Sequence, residues 1–179
     1  MLLRIILLGK AGAGKDTVAA HLVSAHGFRR YAFADKMREI GRELFPGHFK
    51  DGAKPRRLLQ DLGLAMRGLD PDCWTDYVLR RIAAEKPPHA VITDCRYLRE
   101  ITLARWAGFL PVRVECPAEI RLARLAARDG TSFQAADLRH VSEEETDTAP
   151  VAGTLVNAGT PGELAGAVDR LLRELYPGG

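Results

Sequence analysis

Gly9-Lys10-Ala11-Gly12-Ala13-Gly14-Lys15-Asp16-Thr17 stands between the apolar run Leu2–Leu8 and a helical pattern that begins at Asp16. A glycine-rich turn between a buried strand and a helix lets the backbone fold tightly with its N–H groups turned inward. That makes an anion nest at the positive end of the helix. Lys15 adds a point charge that reaches the β- and γ-phosphates of a triphosphate. The usual Walker A pattern places a hydroxyl residue directly after the lysine to hold magnesium. Here Asp16 takes that place and the hydroxyl follows at Thr17. Asp16 has two readings: a favourable charge at the helix terminus, or a metal contact through water. The loop predicts that Gly12, Ala13, Gly14, Lys15, Asp16 and Thr17 hold ATP with Mg2+, with Lys15 at the centre of phosphoryl transfer.

Outward from the loop, short β-rich apolar runs alternate with longer amphipathic stretches, as in a parallel α/β sheet. Strands are expected over 2–8, 28–34, 89–93, 110–115 and 151–156, and helices over 16–26, 36–44, 54–67, 73–85, 98–107, 118–128 and 163–175. The expected fold is a P-loop, three-layer α/β/α arrangement around a five-stranded parallel sheet, in one domain over 1–179. Residues 131–149 are polar, acidic and weakly periodic, so a surface excursion is expected there. Glu143-Glu144-Glu145 reads as a solvated acidic patch, His140 as exposed or structural, and Trp74 and Trp106 as packing residues.

The 179 residues are 46% hydrophobic and 27% charged, with a net charge of +3, which permits a sizeable core. The charge suits anionic small molecules. A nucleic-acid binder would carry a basic stripe with aromatic platforms, and none is seen. Cys73, Cys95 and Cys116 are odd in number and form no CxxC pair, which favours a reducing compartment. The N-terminal apolar run is too short for a membrane span and is broken by Arg4. A cytoplasmic protein with no nucleic-acid or membrane partner is expected, and a homo-oligomer is allowed without being indicated.

The run Gly9 to Ala19 resembles the phosphate loop of nucleoside monophosphate kinases. Its Lys15-Asp16-Thr17 ending is similar to that of bacteriophage and bacterial deoxynucleoside monophosphate kinases, an ending that animal-type phosphomevalonate kinases share. Phe33-Ala34-Asp35-Lys36-Met37-Arg38 resembles the strand-to-helix turn that opens the acceptor site in that family. Arg56-Arg57-Leu58-Leu59-Gln60 resembles its Arg-x-x-Leu-Gln helix, in which the amide reads a base edge. Thr93-Asp94-Cys95-Arg96 resembles its Asp-x-Arg turn, with only Glu100 kept from the usual continuation. Asn157-Ala158-Gly159-Thr160 resembles the turn before the last helix in dephospho-coenzyme A kinases and related enzymes, where backbone groups meet adenine.

The resemblance implies a kinase that phosphorylates a (deoxy)nucleoside monophosphate, with an acceptor-binding helical region over about 35–86 and a lid over about 121–149. Asp35, Arg38, Arg57, Gln60 and Arg96 would bind the acceptor, because an arginine fork holds phosphate in fixed geometry. Arg56 and Arg57 point in different directions, so only one of them faces the site. Arg121, Arg124 and Arg128 share one helix stripe. Arg121 would join Asn157, Gly159 and Thr160 on ATP, while Arg124 and Arg128 would join Lys15 in catalysis. Asp16, Thr17 and Asp94 would serve the metal, mostly through water; Asp94 reads equally as a loop cap or an orienter of the acceptor-side arginine. Arg38 and the Arg121, Arg124 and Arg128 stripe also read as solvated helix residues, Gln60 as a surface glutamine, and Thr160 as an ordinary helix start. The alternatives are another small-molecule P-loop kinase, of the dephospho-coenzyme A or phosphomevalonate type, or a non-catalytic nucleotide-binding regulatory module.

Overall fold

The computed structural model describes residues 2–52, 55–129 and 146–177. Expectations for His140, for Glu143-Glu144-Glu145 and for most of the lid lie outside these residues.

Five strands form one all-parallel sheet in the order β2-β3-β1-β4-β5. They are β1 Leu3–Leu8, β2 Arg29–Tyr31, β3 His89–Ile92, β4 Leu110–Glu115 and β5 Gly153–Val156. The helices that join them are α1 Lys15–His26, α2 Phe33–Leu44, α3 Arg56–Leu69, α4 Cys73–Glu85, α5 Leu98–Trp106, α6 Ala118–Asp129 and α7 Pro161–Leu175. Strand β1 is central, paired with β3 from Leu3↔His89 to Ile6↔Ile92 and with β4 from Ile5↔Leu110 to Leu8↔Arg113. From Ile5 to Leu8 both of its faces are covered, which is why that stretch reads as an unbroken apolar run. Ile5 and Leu7 enter one core with Val18 and Leu22 of α1 and Leu164, Val168 and Leu172 of α7. Ile6 and Leu8 enter the other with Phe33 and Met37 of α2, Trp74, Val78 and Ile82 of α4, and Ile101 of α5. Three layers follow directly from that alternation.

Two expectations need correction. Phe33 and Ala34 belong to α2 and not to a strand, because Asp94 at the end of β3 accepts the amide hydrogens of both at 2.8 Å. That tertiary cap starts the helix three residues earlier than the expected 36–44. Trp106 does not pack: it is 80% exposed, whereas Trp74 is buried and its Nε1 donates to the Gly63 carbonyl at 3.3 Å. The end of the polar excursion is anchored, since Arg113 donates to the carbonyls of Thr146 (3.0 Å) and Ala149 (2.8 Å).

Candidate active site

The phosphate loop occupies the carboxyl end of β1, where the chain leaves the sheet centre and strand order reverses. Open α/β sheets bind ligands at such points. Gly12 and Gly14 have φ of 78° and 102°, so the loop alternates into left-handed conformation and turns its amides toward a common centre. A Cβ at Gly14 would stand 2.1 Å from Asn157 Nδ2, so this position admits only glycine. Gly14 is also the N-cap of α1 and has no side chain with which to cap, leaving that end of the helix open toward an anion. The Lys15 ammonium folds back onto the loop, donating to the carbonyls of Gly9 and Lys10, the latter at 3.1 Å. Asp16 and Thr17 stand exposed on the first turn. A carboxylate and a hydroxyl there are hard oxygen donors of the kind Mg2+ takes.

Three side chains brace this loop from behind. Asn157, 5% exposed, donates through Nδ2 to the Ala13 carbonyl at 2.8 Å. Its Oδ1 faces Arg124 Nη2 at 3.4 Å. Arg121 donates to the Ala11 carbonyl at 2.9 Å. Lys10 pairs with Asp147 at 2.9 Å, joining the loop to the anchored end of the excursion. Of the expected nucleotide residues, the structure therefore brings Lys15, Arg121, Arg124 and Asn157 together around the loop. Thr160 caps α7: its amide donates to Glu163 Oε2 at 2.7 Å and its hydroxyl accepts from the Glu163 amide at 3.3 Å. Gly159 precedes it, next to the Glu163 carboxylate. Arg128 lies exposed near the C-terminal end of α6.

The acceptor candidates fall into two groups. Asp94 lies two residues beyond the carboxyl end of β3, the strand that pairs with β1. Burial pushes the Asp94 carboxyl up, against the two α2 amides and the nearby Arg96, which lower it. Arg96 is exposed, and its amide is fixed by Glu100 Oε2 at 2.8 Å. Asp35 accepts from Arg38 at 2.8 Å and Arg30 at 3.0 Å. These residues surround the N-terminus of α2. Arg57 and Gln60 form the second group, on the solvent side of α3. Arg57 is 89% exposed and paired with Asp61 at 3.0 Å. Among the described residues, no hydrogen bond or ion pair joins either of them to the loop or to Asp94.

The sequence reading missed Arg67. Its guanidinium donates to Glu100 Oε1 at 2.9 Å and lies 4.6 Å from the centre of the Tyr97 ring. Burial raises the Glu100 carboxyl, opposed by the Arg96 amide and by Arg67. Arg67 lies ten residues beyond Arg57 on the same helix, and no local pattern distinguishes it.

A central-strand phosphate loop with its lysine, set in a five-stranded parallel sheet, defines a P-loop phosphotransferase domain of the kinase type. The chain belongs to the AAA domain family (AAA_18), whose model matches residues 5–146. It is similar, at 28% identity over 140 residues covering 62% of this chain and 72% of the relative, to an Acanthamoeba polyphaga mimivirus protein named as a candidate deoxynucleotide monophosphate kinase. Among solved structures it shares its fold with TT1252 from Thermus thermophilus, at 24% identity and a TM-score of 0.62, covering 98% of both chains. The fold is shared also with shikimate kinase from Aquifex aeolicus, at 16% identity and a TM-score of 0.63, covering 99% of this chain and 100% of that one. A gluconokinase from Sinorhizobium meliloti matches at 15% and 0.60, over 98% and 94%.

Proposed function

We propose that the protein transfers the γ-phosphate of ATP to a (deoxy)nucleoside monophosphate, giving the diphosphate and ADP. The observation that carries this reading is the Lys15 ammonium held at the mouth of a loop whose N-cap position admits only glycine. The name of the mimivirus relative supports the acceptor class. The chain works as one P-loop domain, with residues 35–86 taking the acceptor and 121–149 covering the transfer.

Gly12 to Thr17 hold the triphosphate through backbone amides, and Lys15 exchanges its two loop carbonyls for phosphate oxygens. Asp16 and Thr17 would hold hydrated Mg2+, with Asp94, whose carboxylate caps α2, reaching it only through water; the ion would supply neutralisation of phosphate charge. Arg124 and Arg128 stabilise the charge in flight, while Arg121, Asn157, Gly159 and Thr160 shape the nucleotide side. Arg38 and Arg96 hold the acceptor phosphate. The Asp35–Arg38 pair is half-exposed, so solvent screens it and opening it costs about 1 kcal/mol. Arg57 joins them on the acceptor phosphate from α3, and Gln60 reads the base edge. No general base is required, because the acceptor is an anionic phosphate.

Purified protein with Mg2+-ATP and a panel of nucleoside monophosphates, dephospho-coenzyme A, phosphomevalonate, shikimate and gluconate tests this. ADP release driven by a nucleoside monophosphate is expected, with Gln60→Ala blurring the choice among bases. Release driven only by a non-nucleotide acceptor would overturn the acceptor assignment.

A further inference from the structure

On the side of the molecule away from the phosphate loop, His21 and His26 of α1 meet Asp169 of α7. His21 Nε2 lies 2.7 Å and His26 Nε2 2.8 Å from the same oxygen, Asp169 Oδ1. The two rings are edge to face with centroids 5.4 Å apart, and all three polar atoms lie within 4.8 Å of one another. None of this is needed for phosphoryl transfer. Lys15 begins α1 and His26 ends it, about 16 Å apart at 1.5 Å per residue.

We propose that His21, His26 and Asp169 form a binding site for one divalent cation of the Zn2+ class, which ties the C-terminal half of α1 to α7. The chemistry of the donors decides the class. Two imidazoles and one carboxylate suit Zn2+, Ni2+ or Cu2+, whereas Mg2+ and Ca2+ take oxygen sets. An ionised carboxylate only accepts, so without metal both rings donate from Nε2 to Asp169, which holds that carboxyl below the usual range, His21 contributing most. With metal, each neutral ring carries its proton on Nδ1 and turns the Nε2 lone pair to the ion. Tetrahedral Zn2+ with ligands near 2.0–2.1 Å separates its ligand atoms by about 3.3 Å, so each N···O contact opens by only about half an ångström. The side chains are 23%, 32% and 37% exposed, which leaves the fourth position to water. The backbone beneath is fixed, because Leu22 of α1 and Val168 and Leu172 of α7 are buried in one core.

Titration of the whole chain with Zn2+ by calorimetry, and with Co2+ by visible absorption, tests the site. One equivalent should bind, raise the Tm, and give Co2+ bands without a thiolate charge-transfer band. His21→Ala and His26→Ala should each weaken binding by at least about tenfold, with phosphoryl transfer and metal-free Tm little changed. If the variants fold poorly, histidine 15N NMR of the wild-type chain serves instead. Added Zn2+ should shift the Nε2 signals of two of the five histidines, His21 and His26. Absence of binding at about 100 µM Zn2+, a thiolate band from Cys73 or Cys116, equal affinity in the histidine variants, or shifts on other histidines would each overturn the proposal.

Discussion

The two halves of the candidate site are built differently. Around the phosphate loop, ligand-facing backbone is braced by buried or half-buried side chains from distant elements: Asn157 on Ala13 and Arg121 on Ala11. Around the acceptor end, most of the candidate cations rest in exposed or half-exposed ion pairs, Arg38 with Asp35 and Arg57 with Asp61. Such pairs contribute about 0–1 kcal/mol each, so they can be exchanged for a phosphate with little loss. The contrast teaches that the donor cradle is pre-formed, whereas the acceptor side keeps its charges available. The fixed elements on that side are the Asp94 cap on α2 and the Arg67–Glu100 clasp that holds the Arg96 backbone.

The largest effect is expected from Lys15→Ala. Removing the ammonium that sits on the Gly9 and Lys10 carbonyls should lower turnover by roughly 10^3-fold in an ADP-release assay, with the thermal transition shifted by only a few degrees. Glu100→Ala should destabilise the protein by about 3 kcal/mol in urea denaturation, because it leaves Arg67 half-buried with no carboxylate. It should also raise the acceptor KM more than the ATP KM; an equal rise in both would show that the clasp does not belong to the acceptor half.

Asn157→Ala should show the opposite split. Loss of the amide leaves the Ala13 carbonyl without this donor, costing about 1–3 kcal/mol and raising the KM for ATP rather than for the acceptor. The smallest effect concerns the distal edge of the acceptor side. The Tyr31 hydroxyl donates to Glu85 at 2.5 Å, and burial first, then Glu85, pushes its pKa up to about 12. A folded pKa above the free value near 10 gives a contribution that is complete below pH 10 and disappears as pH climbs toward 12. Tyr31→Phe should therefore be less stable than wild type by about 1 kcal/mol at pH 8, and the gap should close by about pH 12.

This contrast also governs what could be read from the sequence. The phosphate loop is legible because its chemistry is local: glycines, lysine and the following helix occupy nine consecutive residues, from Gly9 to Thr17. The parallel sheet and its layers follow from uninterrupted apolar runs such as Ile5–Leu8, whereas the strand order rests on pairings that no local pattern carries. What escaped depends on pairs far apart in the chain. Asp94 and Phe33 are 61 residues apart, and Arg67 and Glu100 are 33 apart. Asn157 was singled out for the nucleotide, yet its side chain spends itself on the Ala13 carbonyl 144 residues away. Trp106 looked like core because it is large and apolar, but α5 turns that flank to solvent.

The most direct measurement is a 1H–15N correlation spectrum of the wild-type chain titrated with Mg2+ and a non-hydrolysable ATP analogue. The largest shifts are expected at the amides of residues 12–17, with smaller ones near Asn157 and Thr160, and Lys15→Ala should weaken binding markedly. Shifts centred on α3, or on the far end of α1 with residues 12–17 unmoved, would contradict the assignment of the phosphate cradle.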